Sequence, residues 1–290
     1  MEIHFQNVSY EYGAGTPFSH LAIKNVTLTI PSGQFVALMG KTGSGKTTLA
    51  QMVNGLIRPT QGEVQVGEYR ITAKKQNLTP LRSRIGYAFQ YPEHQLFEET
   101  VYQDIAFSLK QYEYPEEKIP FRVRQAMERV GLSYEEFKDR SPFQLSGGQM
   151  RKVALAGVLV IHPKILILDE PTAGLDPKGR LDLLTRISEL HREERITILL
   201  ITHHLEEALE YGERILFLRE GELFADLKPK EVYRERKRLF TAGILPSPLL
   251  RFQERLEELR GMGEVSWPHR EAEMMDLLIR QMKGADSWNF

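Results

Sequence analysis

The sequence holds 290 residues, 41% of them hydrophobic, enough to bury the core of one large domain or of one domain with an appendage. A formal net charge of −1, from 38 basic and 39 acidic residues, offers no electrostatic footprint for gripping a nucleic-acid backbone, and no nucleic acid is expected as a partner. There is no cysteine for a disulfide framework, no charged-then-apolar leader, and no apolar run near the roughly 18 residues that suggest a membrane span, so the chain is expected on a cytosolic face.

From Ile3 to Ile30 apolar and polar residues alternate as in half-buried antiparallel strands, at Ile3-His4-Phe5 and again at Val26-Thr27-Leu28-Thr29-Ile30. Tyr12 stands between these runs and has two readings. It packs on its strand neighbours, or its ring stacks on an adenine, whose π-face accepts an aromatic without base-edge hydrogen bonds.

The apolar run Phe35-Val36-Ala37-Leu38-Met39 leads directly into Gly40-Lys41-Thr42-Gly43-Ser44-Gly45-Lys46-Thr47-Thr48, which reads G-x-x-x-x-G-K-T. Glycines at this spacing let the backbone curl so that successive N–H groups converge on an anion, and the following helix adds its positive end. Lys46 then reaches the β- and γ-phosphates, and Thr47 holds Mg²⁺. An ordinary glycine turn is the competing reading. A helix is expected from Gly45 to about Leu56, a strand and turn over residues 62–67, and a further strand over residues 84–89 that ends at Gln90. A polar residue there sits where ligands collect in α/β sheets.

From Thr100 to Ile161 a helical period takes over, with Val123, Ala126, Met127 and Val130 on one face, and a helical insertion is expected. It contains Leu145-Ser146-Gly147-Gly148-Gln149. A plain N-cap explains Ser146 but not two glycines, each costly in a helix, in the first turn; a second anion site at the helix start explains both. Ile165-Leu166-Ile167-Leu168-Asp169-Glu170 then reads as a parallel strand buried on both faces and closed by two carboxylates. Asp169 is placed to hold Mg²⁺, directly or through water, and Glu170 to polarise a water for attack on phosphorus; an ordinary strand ending in acidic residues is the competing reading. Asp176-Pro177 starts a helix whose Leu181, Leu184, Ile187 and Leu190 should face the core.

Residues 196–202 form another buried strand, with His203 at its carboxyl end; such a histidine contacts a γ-phosphate or is structural. Glu206 and Glu207 open the next helix, where acidic residues favour the dipole. Composition shifts near residue 236. Beyond it Ser247 should cap one short helix with Leu249, Phe252, Leu256 and Leu259 on one side, ended by Gly261 and Gly263. A second should carry Met274, Leu277, Leu278 and Met282. A tail this small has to pack on the main domain or on a partner. Arg234-Glu235-Arg236-Lys237-Arg238 reads as a solvated helix face.

In this order and spacing the motifs over residues 1–235 resemble the nucleotide-binding subunits of ATP-binding cassette (ABC) transporters. Gly40 to Thr48 matches their Walker A motif, Gln90 the Q-loop, Leu145 to Gln149 the signature LSGGQ, residues 165–170 Walker B, Asp176 the D-loop, His203 the switch histidine and Tyr12 the adenine-stacking aromatic. His204 departs from the Asp found there in many relatives. The resemblance implies an α/β P-loop NTPase fold with a RecA-like core, an N-terminal antiparallel β-subdomain and a helical signature subdomain over about 91–161. A small helical extension, 236–290, would contribute to dimerisation.

For function it implies two subunits facing head to tail with each ATP between one Walker A and the other's signature. Glu170 would be the general base, with Thr47, Gln90 and Asp169 on Mg²⁺ and His203 on the γ-phosphate. Gln90-Tyr91-Pro92-Glu93-His94-Gln95-Leu96-Phe97 and the extra tail narrow the resemblance to the second ATPase of energy-coupling factor transporters. These pair as heterodimers, with homodimers as an alternative. They drive a transmembrane coupling protein that works with membrane subunits capturing vitamins or transition-metal ions. The implied location is peripheral, on the cytoplasmic face of the membrane. An ATPase of a conventional importer, or a cassette acting on ribosomes or DNA, are the competing readings.

Overall fold

The computed structural model describes residues 1–260, 268 and 270–284. Alternation at the start of the chain produces two long strands, β1 (Ile3–Tyr12) and β2 (His20–Ile30), with Ile3, Phe5, Ile23 and Ile30 turned inward. They pair antiparallel from Ile3↔Ile30 to Tyr12↔His20. With β4 (Gln61–Val66) and β5 (Tyr69–Ile71) they form a four-stranded sheet in the order β2-β1-β4-β5.

Four other strands are buried at every position, as parallel strands covered on both faces should be: β3 (Phe35–Met39), β6 (Ile85–Ala88), β7 (Ile165–Asp169) and β8 (Thr197–Ile201). With β9 (Arg214–Arg219) they run parallel in the order β9-β3-β8-β7-β6, and β10 (Glu222–Leu227) closes one edge antiparallel. One face of this sheet, through Val36, Leu38, Ile167 and Leu199, shares a core with the antiparallel sheet and with α1 (Lys46–Val53). α1 is shorter than the sequence predicts. Gly55, at φ +66°, turns the chain, and the Asn54 side chain accepts from the Leu56 N–H at 3.1 Å. A single turn, α2 (Thr79–Arg82), precedes β6.

Between β6 and β7 lie α3 (Val101–Gln111), α4 (Ile119–Arg129), α5 (Tyr134–Phe137) and α6 (Gly147–Leu159). Val123, Ala126, Met127 and Val130 are all buried, as the helical period requires. Their core runs on through Leu166, Leu168 and Ile198 of the sheet to α7 (Pro177–Glu194), where Leu184, Ile187 and Leu190 point inward. Leu181 does not join them and is 60% exposed. It lies in the first part of α7, which extends past the edge of the core beside the exposed Asp176, Pro177 and Lys178.

The remaining helices are α8 (Leu205–Tyr211), α9 (Pro229–Thr241), α10 (Pro248–Arg260) and α11 (Glu271–Gly284). The composition shift at residue 236 falls inside α9, so it marks no break in the chain's secondary structure. Leu239, Leu250 and Met274 of the tail form one cluster with Met39, Leu209, Phe217 and Val232, which attaches the tail to the main domain. Arg236 is not solvated: its guanidinium lies 4.0 Å from the centroid of the Tyr233 ring and pairs with Glu254 at 3.0 Å.

Ser247 caps α10 by accepting the Leu250 N–H at 3.1 Å. The inward side of α10 differs from the expected one, since Leu250 and Gln253 are buried while Phe252 is 43% exposed. Gln253 Nε2 donates to the Pro268 carbonyl at 2.6 Å, so an amide takes an inward place that an apolar pattern assigns elsewhere. Met274 is buried and Leu277 packs beside it. The side chains of Leu256, Leu259, Leu278 and Met282, and Gly261 and Gly263, lie outside the described residues. Among the described residues no helix is long and apolar enough to cross a membrane.

Because the tail shares the sheet's core, Leu239→Ala should lower the stability of the whole chain by about 2–5 kcal/mol. Urea unfolding followed by far-ultraviolet circular dichroism should show one transition at lower denaturant; an unshifted midpoint would mean that the tail is an adornment.

Candidate functional site

Ligands of open parallel sheets bind beyond the carboxyl ends of the strands. Here four adjacent strands end at that edge with the residues singled out from sequence: β3 leads into the 40–48 loop, β8 into His203, β7 ends at Asp169 before Glu170, and β6 precedes Gln90. The 40–48 loop curls through Gly40, Gly43 and Gly45, all at positive φ. At Gly45 the requirement is steric as well, because a Cβ would stand 2.6 Å from the Ala22 carbonyl oxygen and 2.7 Å from Ile23 Cδ1.

Inside the loop Lys46 Nζ donates to the carbonyls of Gly40 at 2.9 Å and Lys41 at 3.0 Å. Burial pushes the Lys46 ammonium below its ordinary pKa, against the opposing pull of Glu170 and Asp169. Ser44 Oγ is buried and has no hydrogen-bond partner among the described residues. A buried cation, an orphan hydroxyl and the unpaired N–H groups of a helix start make a socket that fits a polyphosphate. The turn after α9 reaches this loop, with Gly243 at φ +85° lying against the side chain of Lys41.

Asp169 is 5% exposed and accepts hydrogen bonds from the Thr47 hydroxyl and, at 3.3 Å, from the Tyr87 hydroxyl. Burial raises its carboxyl above the ordinary range despite these bonds. Next to it Glu170 adopts left-handed backbone, φ +49°, with its N–H donating to the Ile201 carbonyl at 2.9 Å. Its carboxylate collects the two other residues expected to act with it: Gln90 Nε2 donates to Oε2 at 3.0 Å, and His203 Nδ1 lies 3.5 Å from Oε1. The hydroxyl, carboxylate and amide oxygens of Thr47, Asp169 and Gln90 are hard donors of the kind that Mg²⁺ takes.

Tyr12 packs on a strand neighbour, the first of its two readings. It packs edge-on against Tyr10, with centroids 4.7 Å apart, and stays 41% exposed. Its hydroxyl is 3.0 Å from Thr48 Oγ1, which leans it over the start of α1. Thr42 is exposed on the rim of the loop.

The 145–149 turn belongs to a different part of the chain, and among the described residues no side-chain hydrogen bond or ion pair joins it to the phosphate loop. Ser146 and Gln149 form a capping box at the start of α6: Ser146 Oγ accepts from Gln149 N at 3.3 Å and Gln149 Oε1 from Ser146 N at 2.9 Å. Leu145 anchors the turn in the core. A Cβ at Gly147 or Gly148 would meet nothing within 4 Å among the described residues, so no packing among them demands glycine there. Asp176 caps α7 by accepting the Gly179 N–H at 2.7 Å.

Some participants carry no motif. Arg151, almost fully buried, donates to both carboxylate oxygens of Glu93 at 3.0 and 2.8 Å and to the carbonyls of Pro171 and Ala173 at 3.2 and 2.7 Å. It ties α6 to the segment after Gln90 and to the exit from β7. His204 Nε2 is 3.2 Å from Arg180 Nη1 on α7. Glu93 falls in the Gln90–Phe97 segment singled out from sequence, whereas for Tyr87 and Arg151 the only signal is a polar group inside an otherwise apolar strand or helix.

The sequence matches the family described as ABC transporter over residues 23–173. An energy-coupling factor transporter ATP-binding protein EcfA2 from Clostridium perfringens is 47% identical over 84% of this chain and 86% of its own length. The protein of the same name from Geobacillus kaustophilus is 44% identical over 90% and 91%. Among solved structures, cbiO1 from Clostridium perfringens, described as part of the ABC transporter complex cbiONQ, superposes with a TM-score of 0.73 at 35% identity over 87% of this chain and 98% of that one. A dimeric ATP-binding cassette in a post-hydrolysis state, bound to ADP and Pi, gives 0.70 at 32% identity over 78% and 98%.

Gly45→Ala should abolish the phosphate socket, since the new methyl group meets β2 backbone in a conformation that costs alanine about 1–3 kcal/mol. Titration with a fluorescent ATP analogue should show no saturable binding, and binding at the unsubstituted affinity would refute the steric argument.

Proposed function

This chain belongs to the ABC transporter family as an ATP-binding subunit of the energy-coupling factor type, and on that premise we propose that it hydrolyses ATP as one half of an ATPase pair that powers import of a vitamin or a transition-metal ion. The observation that carries the chemistry is the convergence of Gln90 and His203 on the Glu170 carboxylate beside the phosphate loop. Lys46 and the loop N–H groups bind the β- and γ-phosphates, Ser44 Oγ gains the partner that it lacks, and Tyr12 stacks on the adenine. Thr47, Gln90 and Asp169 would hold Mg²⁺, which would supply positive charge beside the phosphate oxygens.

Glu170 orients a water and takes its proton, and His203 donates towards the γ-phosphate. Gln90 keeps the Glu170 carboxylate aimed. The bare face of Gly147 and Gly148 and the Ser146 hydroxyl belong to the partner's nucleotide, which a Cβ on either glycine would crowd. Each site is therefore shared, with Asp176 at the seam. Closure on ATP and reopening after hydrolysis is a population shift driven by differential binding to two states.

The partner ATPase is a related chain in a heterodimer. The segment from Tyr91 to Phe97 faces a transmembrane coupling protein that works with a small substrate-capturing membrane subunit, so the chain works peripherally on the cytoplasmic side. The tail adds to the ATPase pairing.

Glu170→Gln should leave ATP affinity nearly unchanged, reduce turnover about 10²–10⁴-fold and trap the closed dimer, as read by phosphate release and size-exclusion chromatography with ATP. Unchanged hydrolysis would remove Glu170 as the base. In a mixed dimer, Ser146→Arg in this chain should silence the site whose Walker A belongs to the other subunit; a fully active partner site would argue against sharing. Purification from native membranes should recover a second ATPase and a coupling protein, whereas permeases that depend on solute-binding proteins would overturn the energy-coupling assignment.

A further inference from the structure

The β7 and β8 ladder stops at Asp169↔Ile201, and the residues that perform the chemistry, Glu170 and His203, emerge just beyond its last pair. Beyond that pair one backbone hydrogen bond, from the Glu170 N–H to the Ile201 carbonyl at 2.9 Å, joins the two exits. Glu207, in the first turn of α8, adds a side-chain link. Its carboxylate accepts the Thr172 hydroxyl at 2.7 Å and the Thr202 hydroxyl at 2.6 Å. Thr172 stands two residues after Glu170, and Thr202 immediately precedes His203. Thr202 Oγ1 also accepts the His204 N–H at 3.0 Å, so the turn carrying both histidines is fastened to the same carboxylate. Thr172, Thr202 and Glu207 are 2%, 1% and 8% exposed.

A helix-dipole role, the reading that sequence alone gives Glu207, requires none of this. Among the described residues no cation pairs with the carboxylate, whose two oxygens are both taken by hydroxyls. Burying a carboxylate without a cation is costly, and two apolar side chains would join the same elements more cheaply. A carboxylate differs in that it fixes two donors at hydrogen-bond distance and in a set direction. It adds a side-chain rung beyond the last backbone hydrogen bond between the two exits, Glu170 N–H to the Ile201 carbonyl.

We propose that Glu207 is a positioning residue that, through Thr172 and Thr202, sets the spacing of Glu170 and His203 and so the geometry of ATP hydrolysis. The proposal rests on the ATPase reading above. The phosphate loop lies on β3, where Thr202 contributes only its N–H to the Leu38 carbonyl at 3.3 Å, so nucleotide binding should be spared while the chemical step is not.

The test is steady-state ATP hydrolysis by the intact transporter complex with Glu207→Ala, Glu207→Gln, Thr172→Val and Thr202→Val, alongside binding of a fluorescent ATP analogue. Glu207→Ala should lower kcat about tenfold or more with KM and analogue affinity changed less than about twofold, because misplacement of reacting groups acts on the chemical step. Glu207→Gln keeps the shape and one acceptor and should recover most of the loss. Thr202→Val should reproduce part of the loss and add nothing to Glu207→Ala when combined with it.

A kcat within about twofold of the unsubstituted complex for Glu207→Ala would overturn the proposal, as would an equal loss in kcat and affinity that Glu207→Gln fails to reverse. If Glu207→Ala does not fold, the two valine variants decide: an undiminished kcat in both overturns the proposal, and a selective loss of kcat supports it. An unsubstituted complex without ATPase activity would overturn the transport-ATPase reading and this proposal with it, whereas an active complex insensitive to Glu207 overturns this proposal alone.

Discussion

The parallel pairing of β3, β8, β7 and β6 is the constraint on which the rest of the molecule depends, because side chains far apart in sequence become functional only when their strands end at the same level. The register Leu38↔Ile201, Asp169↔Ile201 and Ala88↔Leu168 brings the phosphate loop, the two carboxylates, the histidine turn and Gln90 to one edge. A slip of one residue would turn each of these strands over. Burial on both faces resists it, since every residue of the four strands is apolar or hydrogen-bonded in the interior.

That edge is electrostatically unfinished. Burial disfavours the charged Lys46 and also the ionised Asp169, and one buried hydroxyl of the loop has no partner among the described residues. On the proposed ATPase reading a polyphosphate with its cation would answer all three, the anion favouring the charged lysine, the cation the ionised carboxylate, and a phosphate oxygen facing Ser44. The left-handed backbone at Glu170, φ +49°, is held by its N–H donating to the Ile201 carbonyl.

Buried polar side chains link the edge to the elements around it. Arg151 joins α6 to the segment after Gln90 and to the exit from β7, and Glu207 joins the exits of β7 and β8. Such connections are directional in a way that apolar packing is not, so they fix the elements they join in orientation as well as in distance. The tail, sharing its core with β3 and β9 and touching Lys41 at Gly243, is tied into the same body.

The sequence by itself determined what local chemistry can determine. Glycines with a lysine and a threonine at fixed spacing make a phosphate loop, unbroken apolar runs make buried parallel strands, and a helical period placed Val123, Ala126 and Met127 in a core. The same local reasoning misjudged Leu181, which overhangs the core edge, Phe252, displaced from the inward side by Gln253, and Arg236, which stacks on Tyr233. Only the tertiary structure decided that Gln90 and His203 meet on Glu170, that Glu207 is a buried bracket, and that Gly147 and Gly148 serve no packing need among the described residues. The reason is physical: periodicity and turn chemistry act over a few neighbouring residues, whereas the meeting of side chains more than thirty residues apart depends on strand order and register, which no single segment encodes.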